Sequence, residues 1–302
     1  MILFLLSIAF CTKAQDNCLP VYSLPVKNIQ LSSGRMAYVE KGKGKVLIFI
    51  HGLGGNISHC VKVINDLSSS YRCIAIDLPG YGYSTNTNQN SSDQLSFYAN
   101  VVMQFAKKLK IKYFDLVGHS MGGQIAVIMG LNHPKIIKRL ILVNPAGLET
   151  FTSGEAKLLT TYTTTAFFAG QDEAAIRTSF KNNFYSLPED AEALIRYRLK
   201  LKACVNANDY YEVLVKGVNG MLNHPVKDDL KNLKQNVLVV LGENDNLIPN
   251  KLLHPALTGN DISKIATDNI PGVKLKIISK AGHMLPFEQP SLLNKAIKEF
   301  VQ

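Results

Sequence analysis

A serine lies at the centre of the five-residue sequence Gly-His-Ser-Met-Gly at residues 118–122. An apolar run, Phe114 to Val117, precedes it, and a small, largely apolar run follows it. The flanking glycines permit a sharp turn between a strand and a helix, which exposes the Ser120 hydroxyl and directs the helix N-terminus at it. The pattern predicts a nucleophile at Ser120, because the start of the helix would stabilise the negative charge that develops during attack.

A serine nucleophile needs a base and a group that orients the base, and the loops after the last two predicted strands supply both. His283, one of seven histidines, follows the apolar run at residues 274–278. Asp245 follows the run at residues 236–241, and Glu243 is an alternative acid closer to that run. Functional loops of parallel sheets gather at the carboxyl ends of the strands. The chain order serine, aspartate, histidine is the order expected with this type of turn.

These residues require a sheet to position them, and the sequence predicts one. Short apolar runs that end near glycine or proline predict strands buried on both faces. They cover residues 46–50, 72–76, 113–117, 139–143, 236–241 and 274–278. Helical patterns alternate with them at 95–109 (with Asp93 as N-cap), 122–131 and 292–301. Strands that alternate with helices indicate a parallel α/β sheet.

Two regions depart from this alternation. Residues 26–40 predict two strands joined as a hairpin at Ser32 to Gly34. Residues 146–225 contain helical patterns with many apolar side chains and no convincing strand. A long insertion in a parallel-sheet protein commonly covers a functional region, so this segment predicts a helical lid.

Further motifs carry a family resemblance. The His-Gly-Leu-Gly-Gly sequence at 51–55, the Asp-Leu-Pro-Gly-Tyr-Gly-Tyr-Ser sequence at 77–84, and the Gly-His…Pro-Phe-Glu-Gln-Pro sequence at 282–290 accompany the serine motif. Together they resemble the α/β-hydrolase superfamily, in its lid-bearing esterase/lipase and C–C-hydrolase-like branch, over about residues 26–302. The resemblance implies an α/β-hydrolase fold: a mostly parallel central sheet flanked by helices, with an inserted helical lid. The implied core covers 26–145 and 226–302.

The same resemblance implies roles at the site. The backbone N–H groups of Leu53 and Met121 would bind the oxyanion, and His51 would be a structural member of its loop. Haloalkane dehalogenases and epoxide hydrolases of this fold carry aspartate where Ser120 stands. Relatives that place the acid after an earlier strand would need a carboxylate near Asn144, which is an amide. Asp245 is therefore the preferred acid.

The expected function is a serine hydrolase of the carboxylesterase/lipase type, acting on a small-molecule ester or similar acyl compound. Neither a metal nor an organic cofactor is implied. A second hypothesis is hydrolysis of a C–C bond in a ring-fission diketone, for which Arg177, Arg196 and Arg198 of the predicted lid could supply positive charge. A third hypothesis is a non-catalytic binding protein on the same fold, against which the presence of all three triad residues argues.

The N-terminus predicts export. Residues 1–10 are apolar but too few to span a bilayer as a helix, and with residues 11–14 they resemble a signal peptide of 14 residues. No lysine or arginine precedes the apolar run, and a buried first strand is the alternative. The expected location is secreted or periplasmic, with lipid attachment at Cys11 as a minor alternative. Removal of the signal leaves Cys18, Cys60, Cys73 and Cys204, which allow three pairings.

The amino-acid composition limits the class of protein and the kind of partner that can be expected. With 302 residues, 46% of them hydrophobic, the chain is long and apolar enough to fold without metal or disulfide support. The net charge of +10 raises the possibility of nucleic-acid binding. The lysines are scattered, and the densest group, Lys107 to Lys112, lies at a predicted helix end, where cations complement the helix dipole. Aromatic residues do not alternate with basic ones, so nucleic acid is not the expected partner. The oligomeric state is not predicted.

Overall fold

The computed structural model describes residues 18–85, 91 and 93–302. The predicted signal peptide, Cys11 included, lies outside these residues. Within them, eight strands form one sheet in the order β1-β2-β4-β3-β5-β6-β7-β8, and the pairings from β4 onwards in this order are parallel. The strands are β1 (Lys27–Leu31), β2 (Gly34–Lys41), β3 (Val46–Ile50), β4 (Arg72–Ile76), β5 (Phe114–His119), β6 (Ile137–Val143), β7 (Asn236–Gly242) and β8 (Lys274–Ile278). The expected mostly parallel α/β sheet is confirmed.

The strands form where the continuous apolar runs predict them, because the sheet has a hydrophobic core on each face. Ile48 and Ile50 of β3 belong to the core on one face, and Leu47 and Phe49 belong to the core on the other. Alternate side chains of a strand point to opposite faces, so a strand buried on both faces must be apolar throughout. The predicted hairpin is also present, since β1 and β2 pair antiparallel through a turn at residues 32–33.

Helices cover both faces of the sheet. The helices are α1 (Val61–Leu67), α2 (Gln94–Lys108), α3 (Met121–Asn132), α4 (Ser153–Tyr162), α5 (Thr165–Gly170), α6 (Glu173–Asn182), α7 (Glu192–Lys202), α8 (Ala207–Asn223), α9 (Gly259–Asn269), α10 (Leu285–Glu288) and α11 (Pro290–Val301). Residues of α2, α3 and α9 belong to one core, and residues of α1 and α11 belong to the other. The Asp93 carboxylate accepts a hydrogen bond from the Ser96 N–H at 3.0 Å, which makes Asp93 the N-cap of α2, as predicted.

The segment 146–225, all of it described, contains α4 to α8 and no strand. Helix α8 contacts the core most closely: the Tyr210 hydroxyl donates to the Gly54 carbonyl at 3.0 Å, and Val213 packs against Gly80. Helices α4 and α5 bury no residue completely. Residues of the middle of the segment, Phe184 and Leu194 among them, also pack against Met284 and Phe287. The inserted segment is therefore anchored through its middle part and its last helix, and its first two helices lie at the surface.

One disulfide joins Cys18 to Cys204, with the Cα atoms 6.0 Å apart. This pairing selects one of the possibilities that the sequence left open. Cys60 and Cys73 are buried thiols, and burial raises the pKa of the Cys73 thiol to about 12.

In the part of the chain that the structure describes, no helix is both long and apolar enough to cross a membrane.

Candidate active site

Ser120 lies in the turn between β5 and α3, in a backbone conformation that side chains rarely adopt. Its φ is 54° and its ψ is −122°. A strained conformation of this kind persists only where the surroundings enforce it. A Cβ at Gly118 would collide with the carbonyl of Gly122, and a Cβ at Gly122 would collide with the carbonyl of Ile50. The glycines therefore allow α3 to approach β3 and β5 closely enough to hold Ser120 in this turn.

His283 and Asp245 lie beside this turn and contact each other. His283 Nδ1 is 2.8 Å from Asp245 Oδ2, and both side chains are about 5% exposed. The other carboxylate oxygen, Asp245 Oδ1, accepts hydrogen bonds from the N–H groups of Leu247 and Ile248 at 2.8 and 3.1 Å. The carboxylate is thus fixed by its own loop while it orients the imidazole. This arrangement leaves His283 Nε2 as the ring nitrogen available for proton transfer.

The serine and the histidine belong to loops that touch through His119. His119 Nε2 lies 2.8 Å from the carbonyl oxygen of His283, and the two rings are 4.9 Å apart between centroids. Among the residues that the structure describes, no hydrogen bond joins Ser120 Oγ to His283. Such hydrogen bonds are often long without substrate and tighten in the complex. The contact through His119 brings the two predicted residues to the same end of the sheet.

Burial keeps the neighbouring histidines neutral. It lowers the pKa of His119 to about 3 and that of His51 to about 4. His51 Nε2 accepts a hydrogen bond from the Leu78 N–H at 3.1 Å, and its Nδ1 lies 2.7 Å from the Gly52 carbonyl oxygen. His51 therefore ties two loops together through its ring. Because both neighbours are uncharged, a proton on His283 would meet no other cationic imidazole in this cluster.

Leu53 and Met121 present two backbone N–H groups beside Ser120. Within the described residues, neither N–H has a hydrogen-bond acceptor. A Cβ at Gly52 would lie 2.9 Å from Ser120 Cβ, which places the Leu53 loop directly against the serine. Unengaged N–H groups next to a nucleophile are suited to a developing oxyanion. The side chains of Leu53 and Met121 both pack against Gly217 of α8.

The histidine loop is fixed from two sides. On the core side, the Asn144 amide donates to the carbonyls of Gly282 and His283 at 3.0 and 2.9 Å, and its oxygen accepts from the Gly242 N–H at 2.7 Å. On the other side, the Glu288 carboxylate accepts hydrogen bonds from three N–H groups. The donors are Tyr185, Ser186 and Gly282, at 3.2, 2.6 and 2.7 Å. Glu288 therefore links the inserted segment to the loop that carries His283.

A second buried carboxylate organises the loop at residues 77–84. Asp77 accepts hydrogen bonds from the Ile57 and Tyr83 N–H groups at 3.0 and 2.9 Å, and from the Tyr22 hydroxyl at 2.8 Å. Burial raises the pKa of the Asp77 carboxyl to about 7 although these donors favour its charged form. Asp77 thus joins the 77–84 loop to the segment that follows the Leu53 loop.

The residues that the sequence offered as alternatives lie elsewhere. The Glu243 side chain is exposed, whereas Asp245 meets the imidazole. Arg177 and Arg196 pair with Glu192 on the surface of the inserted segment. Of the three arginines, Arg198 alone carries a buried, unpartnered nitrogen, Nη1.

Sequence reasoning missed the contacts of Gly217 and Asn144. Gly217 lies in a helix that gives no sign of what it packs against. Asn144 follows a predicted strand directly, at the end where functional loops gather, and that placement could have indicated it.

Comparison with known proteins is consistent with this architecture. The sequence pattern of the alpha/beta hydrolase fold matches residues 45–290. The dihydrolipoyllysine-residue acetyltransferase component of an acetoin cleaving system from Cupriavidus necator is 26% identical, over 88% of this chain and 66% of its own length. A monoacylglycerol lipase of Xenopus laevis is 22% identical, over 92% of this chain and 82% of its own length. The crystal structure of a probable hydrolytic enzyme from Pseudomonas aeruginosa superposes with a TM-score of 0.83 at 22% identity, covering 94% of this chain and 96% of that one. The chain therefore belongs to the alpha/beta hydrolase fold family.

Proposed function

We propose that this protein is a serine hydrolase that cleaves carboxylic esters or similar acyl compounds through an acyl-enzyme. Ser120 is the nucleophile, His283 the general base and acid, and Asp245 the group that orients the imidazole. The observation that carries the proposal is the hydrogen bond of 2.8 Å between His283 Nδ1 and Asp245 Oδ2. This pair lies at the same end of the sheet as the strained turn at Ser120. The relative named as a monoacylglycerol lipase supports an ester as the substrate class.

The reaction would proceed in two halves. In the first, His283 Nε2 takes the proton of the Ser120 hydroxyl while Oγ attacks the carbonyl carbon. The N–H groups of Leu53 and Met121 donate to the oxyanion of the tetrahedral intermediate. The intermediate collapses when the ester C–O bond breaks, and the leaving alcohol takes the proton from His283. In the second half, His283 activates water, which attacks the acyl-enzyme, releases the acid and restores the Ser120 hydroxyl.

The test of the proposal is Ser120→Ala, assayed with p-nitrophenyl butyrate. We expect kcat/KM to fall by about three orders of magnitude or more, with an unchanged melting temperature. Ser70→Ala is the matched control, because Ser70 is exposed in the turn before β4. A fluorophosphonate probe should label the wild-type protein at Ser120. Absence of labelling would favour the non-catalytic binding protein, and a Ser120→Ala variant with wild-type activity would refute the mechanism.

One observation favours a second candidate, hydrolysis of a C–C bond in a carboxylated ring-fission diketone. The Arg198 guanidinium lies over the rings of Tyr210 and Tyr211, at 5.0 and 5.4 Å from their centroids, and its Nη1 has no partner among the described residues. Tyr210 in turn contacts Gly54, one residue from Leu53. A cation this close to the oxyanion loop could bind a substrate carboxylate. Turnover of the diketone that exceeds turnover of butyrate esters would select this candidate.

The inserted segment 146–225 is proposed to act as a lid, with the catalytic core formed by residues 26–145 and 226–302. The contacts of α8 with Leu53 and Met121 support this role, since they cover the proposed oxyanion site.

A secreted or periplasmic location is proposed as well. The disulfide between Cys18 and Cys204 supports it, because structural disulfides persist mainly in oxidising compartments.

A further inference from the structure

A basic groove lies on the side of the protein away from the proposed active site. It has a volume of about 1130 Å³ and is formed by the C-terminal half of α2, the segment before β5 and the segment before β6. Five lysines line it, namely Lys107, Lys110, Lys112, Lys135 and Lys138. None of its lining residues is an aspartate or a glutamate. The fold thus joins two lysine groups that are more than twenty residues apart in the sequence.

The positive charge of the groove is not neutralised by the protein. All five lysines are exposed, and within the described residues none lies within 4.0 Å of a carboxylate. Asp115 is the one acidic residue between positions 94 and 138, and it pairs with Arg139 at 3.4 Å. Like charges on the walls of a concave surface raise the local potential and attract anions. This concentration of unpaired positive charge is suited to an anionic partner from outside the chain.

The groove and the proposed active site are separate. The groove lies at the amino ends of β5 and β6, whereas Ser120 follows the carboxyl end of β5. A strand of six residues spans about 20 Å, so the residues that line the groove do not contact the site. Binding in the groove and ester hydrolysis can therefore be tested independently.

The lining indicates the chemical class of the occupant. Besides lysines, the groove presents the amide residues Asn100 and Gln104 and the apolar residues Met103 and Ile136. Amides suit sugar hydroxyls, and the apolar side chains suit the C–H faces of sugar rings. Lysine ammonium groups bind sulfate, phosphate or carboxylate as point charges. With a volume of about 1130 Å³ and a wide opening to solvent, the groove has room for several residues of a chain and is far larger than a single ion requires.

Two other polyanions fit less well. Tyr113 is the one aromatic residue among those that line the groove, and Lys138 Nζ covers its ring at 4.2 Å from the centroid. One face of a single tyrosine ring therefore remains for stacking, rather than the several aromatic side chains on which successive bases stack. A bilayer would find little apolar surface to insert into it, because Ala106 and Ile111 are buried in the core and Met103 and Ile136 are half-buried. We propose that the groove binds a linear anionic polysaccharide, with lysines of both walls contacting its charged groups.

The experiment measures binding of fluorescein-labelled dextran sulfate to the full chain by fluorescence anisotropy at several salt concentrations. The variant Lys112→Glu with Lys135→Glu reverses one charge in each of the two loop segments. The matched control, Lys43→Glu with Lys295→Glu, makes the same change in net charge at exposed, unpaired lysines outside the groove. We expect the groove variant to bind about tenfold more weakly, with a shallower salt dependence, and the control to change less than about twofold. Activity on p-nitrophenyl butyrate should be unchanged in both variants.

Equal weakening in the groove and control variants would overturn the proposal, because binding would then follow net charge alone. Absence of dextran sulfate binding to the wild-type protein at low salt would do the same. Tighter binding of oligothymidylate than of dextran sulfate would assign the groove to nucleic acid instead. Binding to phosphatidylglycerol vesicles without binding to the soluble polymer would assign it to a membrane surface.

Discussion

Substitution of Gly217 by alanine tests whether helix α8 sets the position of the proposed oxyanion loop. The added Cβ would lie 2.5 Å from Leu53 Cδ1 and 3.2 Å from Met121 Sδ. Carbon atoms in contact normally keep about 3.5–4.0 Å between them, so the Leu53 side chain must retreat by about 1 Å. Because Leu53 belongs to a short loop against Ser120, we expect part of this movement to reach its backbone N–H.

The expected cost in stability is small. Alanine is favoured over glycine in the interior of a helix by about 1 kcal/mol, and overpacking typically costs about 1–3 kcal/mol. The net loss of about 0–2 kcal/mol leaves the protein folded. The expected cost in activity is larger, since loss of one oxyanion donor typically lowers kcat by about 10²–10³-fold. A displaced donor retains part of its effect, so we expect kcat to fall by about 10–100-fold with little change in KM.

The assay combines steady-state hydrolysis of p-nitrophenyl butyrate with thermal unfolding followed by circular dichroism. Gly154→Ala in α4 is the control, because the nearest heavy atom to its added Cβ is 4.0 Å away. The double variant Leu53→Ala with Gly217→Ala removes the atom that the new Cβ meets and keeps the backbone N–H. We expect the double variant to recover most of the activity. A double-mutant cycle measures this coupling between positions 53 and 217. Wild-type activity in Gly217→Ala, or no recovery in the double variant, would refute the reasoning.

Three further predictions concern a buried ion pair, the histidine loop and the disulfide. The hydrogen bond to the buried carboxylate of Glu149 raises the pKa of His254. The protonated imidazole therefore stabilises the folded protein fully below pH 6.5, and this contribution is lost as pH rises through the folded-state pKa. The melting temperature of His254→Gln should consequently fall less between pH 6 and 9 than that of the wild-type protein. Glu288→Gln replaces one of the two accepting oxygens by an NH₂ group, so at least one of the N–H groups of Gly282, Tyr185 and Ser186 loses its acceptor. Because this loosens the histidine loop, kcat should fall more than KM changes, while Glu299→Gln on the exposed surface should leave both constants unchanged. Cys204→Ser removes the disulfide to Cys18 and should lower stability by about 2–5 kcal/mol. A thiol count without reductant should show one additional free thiol, that of Cys18, and an unchanged denaturation midpoint would contradict the prediction.

The sheet could be predicted because each strand carries a strong local signal. A strand buried on both faces must be apolar along its length, and β3 and β4 have the bounds that their apolar runs predict. Strand β8 also has its predicted bounds, but it lies at the edge of the sheet and only Ile278 in it is buried. The start of α2 could be predicted because Asp93 is a residue type that commonly caps the N-terminus of a helix. The positions of Ser120, Asp245 and His283 at one end of the sheet follow from the same logic, because the carboxyl ends of parallel strands meet there.

Features that depend on contacts between distant segments could not be predicted in this way. The pairing of Cys18 with Cys204 spans 186 residues, and four cysteines carry no information about distance. Gly217 packs against Leu53 only because α8 folds back over the core. The lysine groups around Lys112 and Lys135 look scattered along the chain and become one surface when the segments before β5 and β6 lie side by side. The sequence indicated scattered lysines, and it did not predict that the fold would bring two groups of them together at this surface.

Asn144 explains why the acid is expected after β7 rather than after β6. The sequence argument was negative: an amide cannot serve as the acid, so Asp245 was preferred. The structure adds a positive reason, because the amide donates to the carbonyls of Gly282 and His283 and accepts from the Gly242 N–H. A carboxylate at this position could accept the last hydrogen bond but would face two carbonyl oxygens with no proton to offer. The side chain that holds the histidine loop in place must therefore be an amide, which leaves the role of acid to the next loop along the sheet.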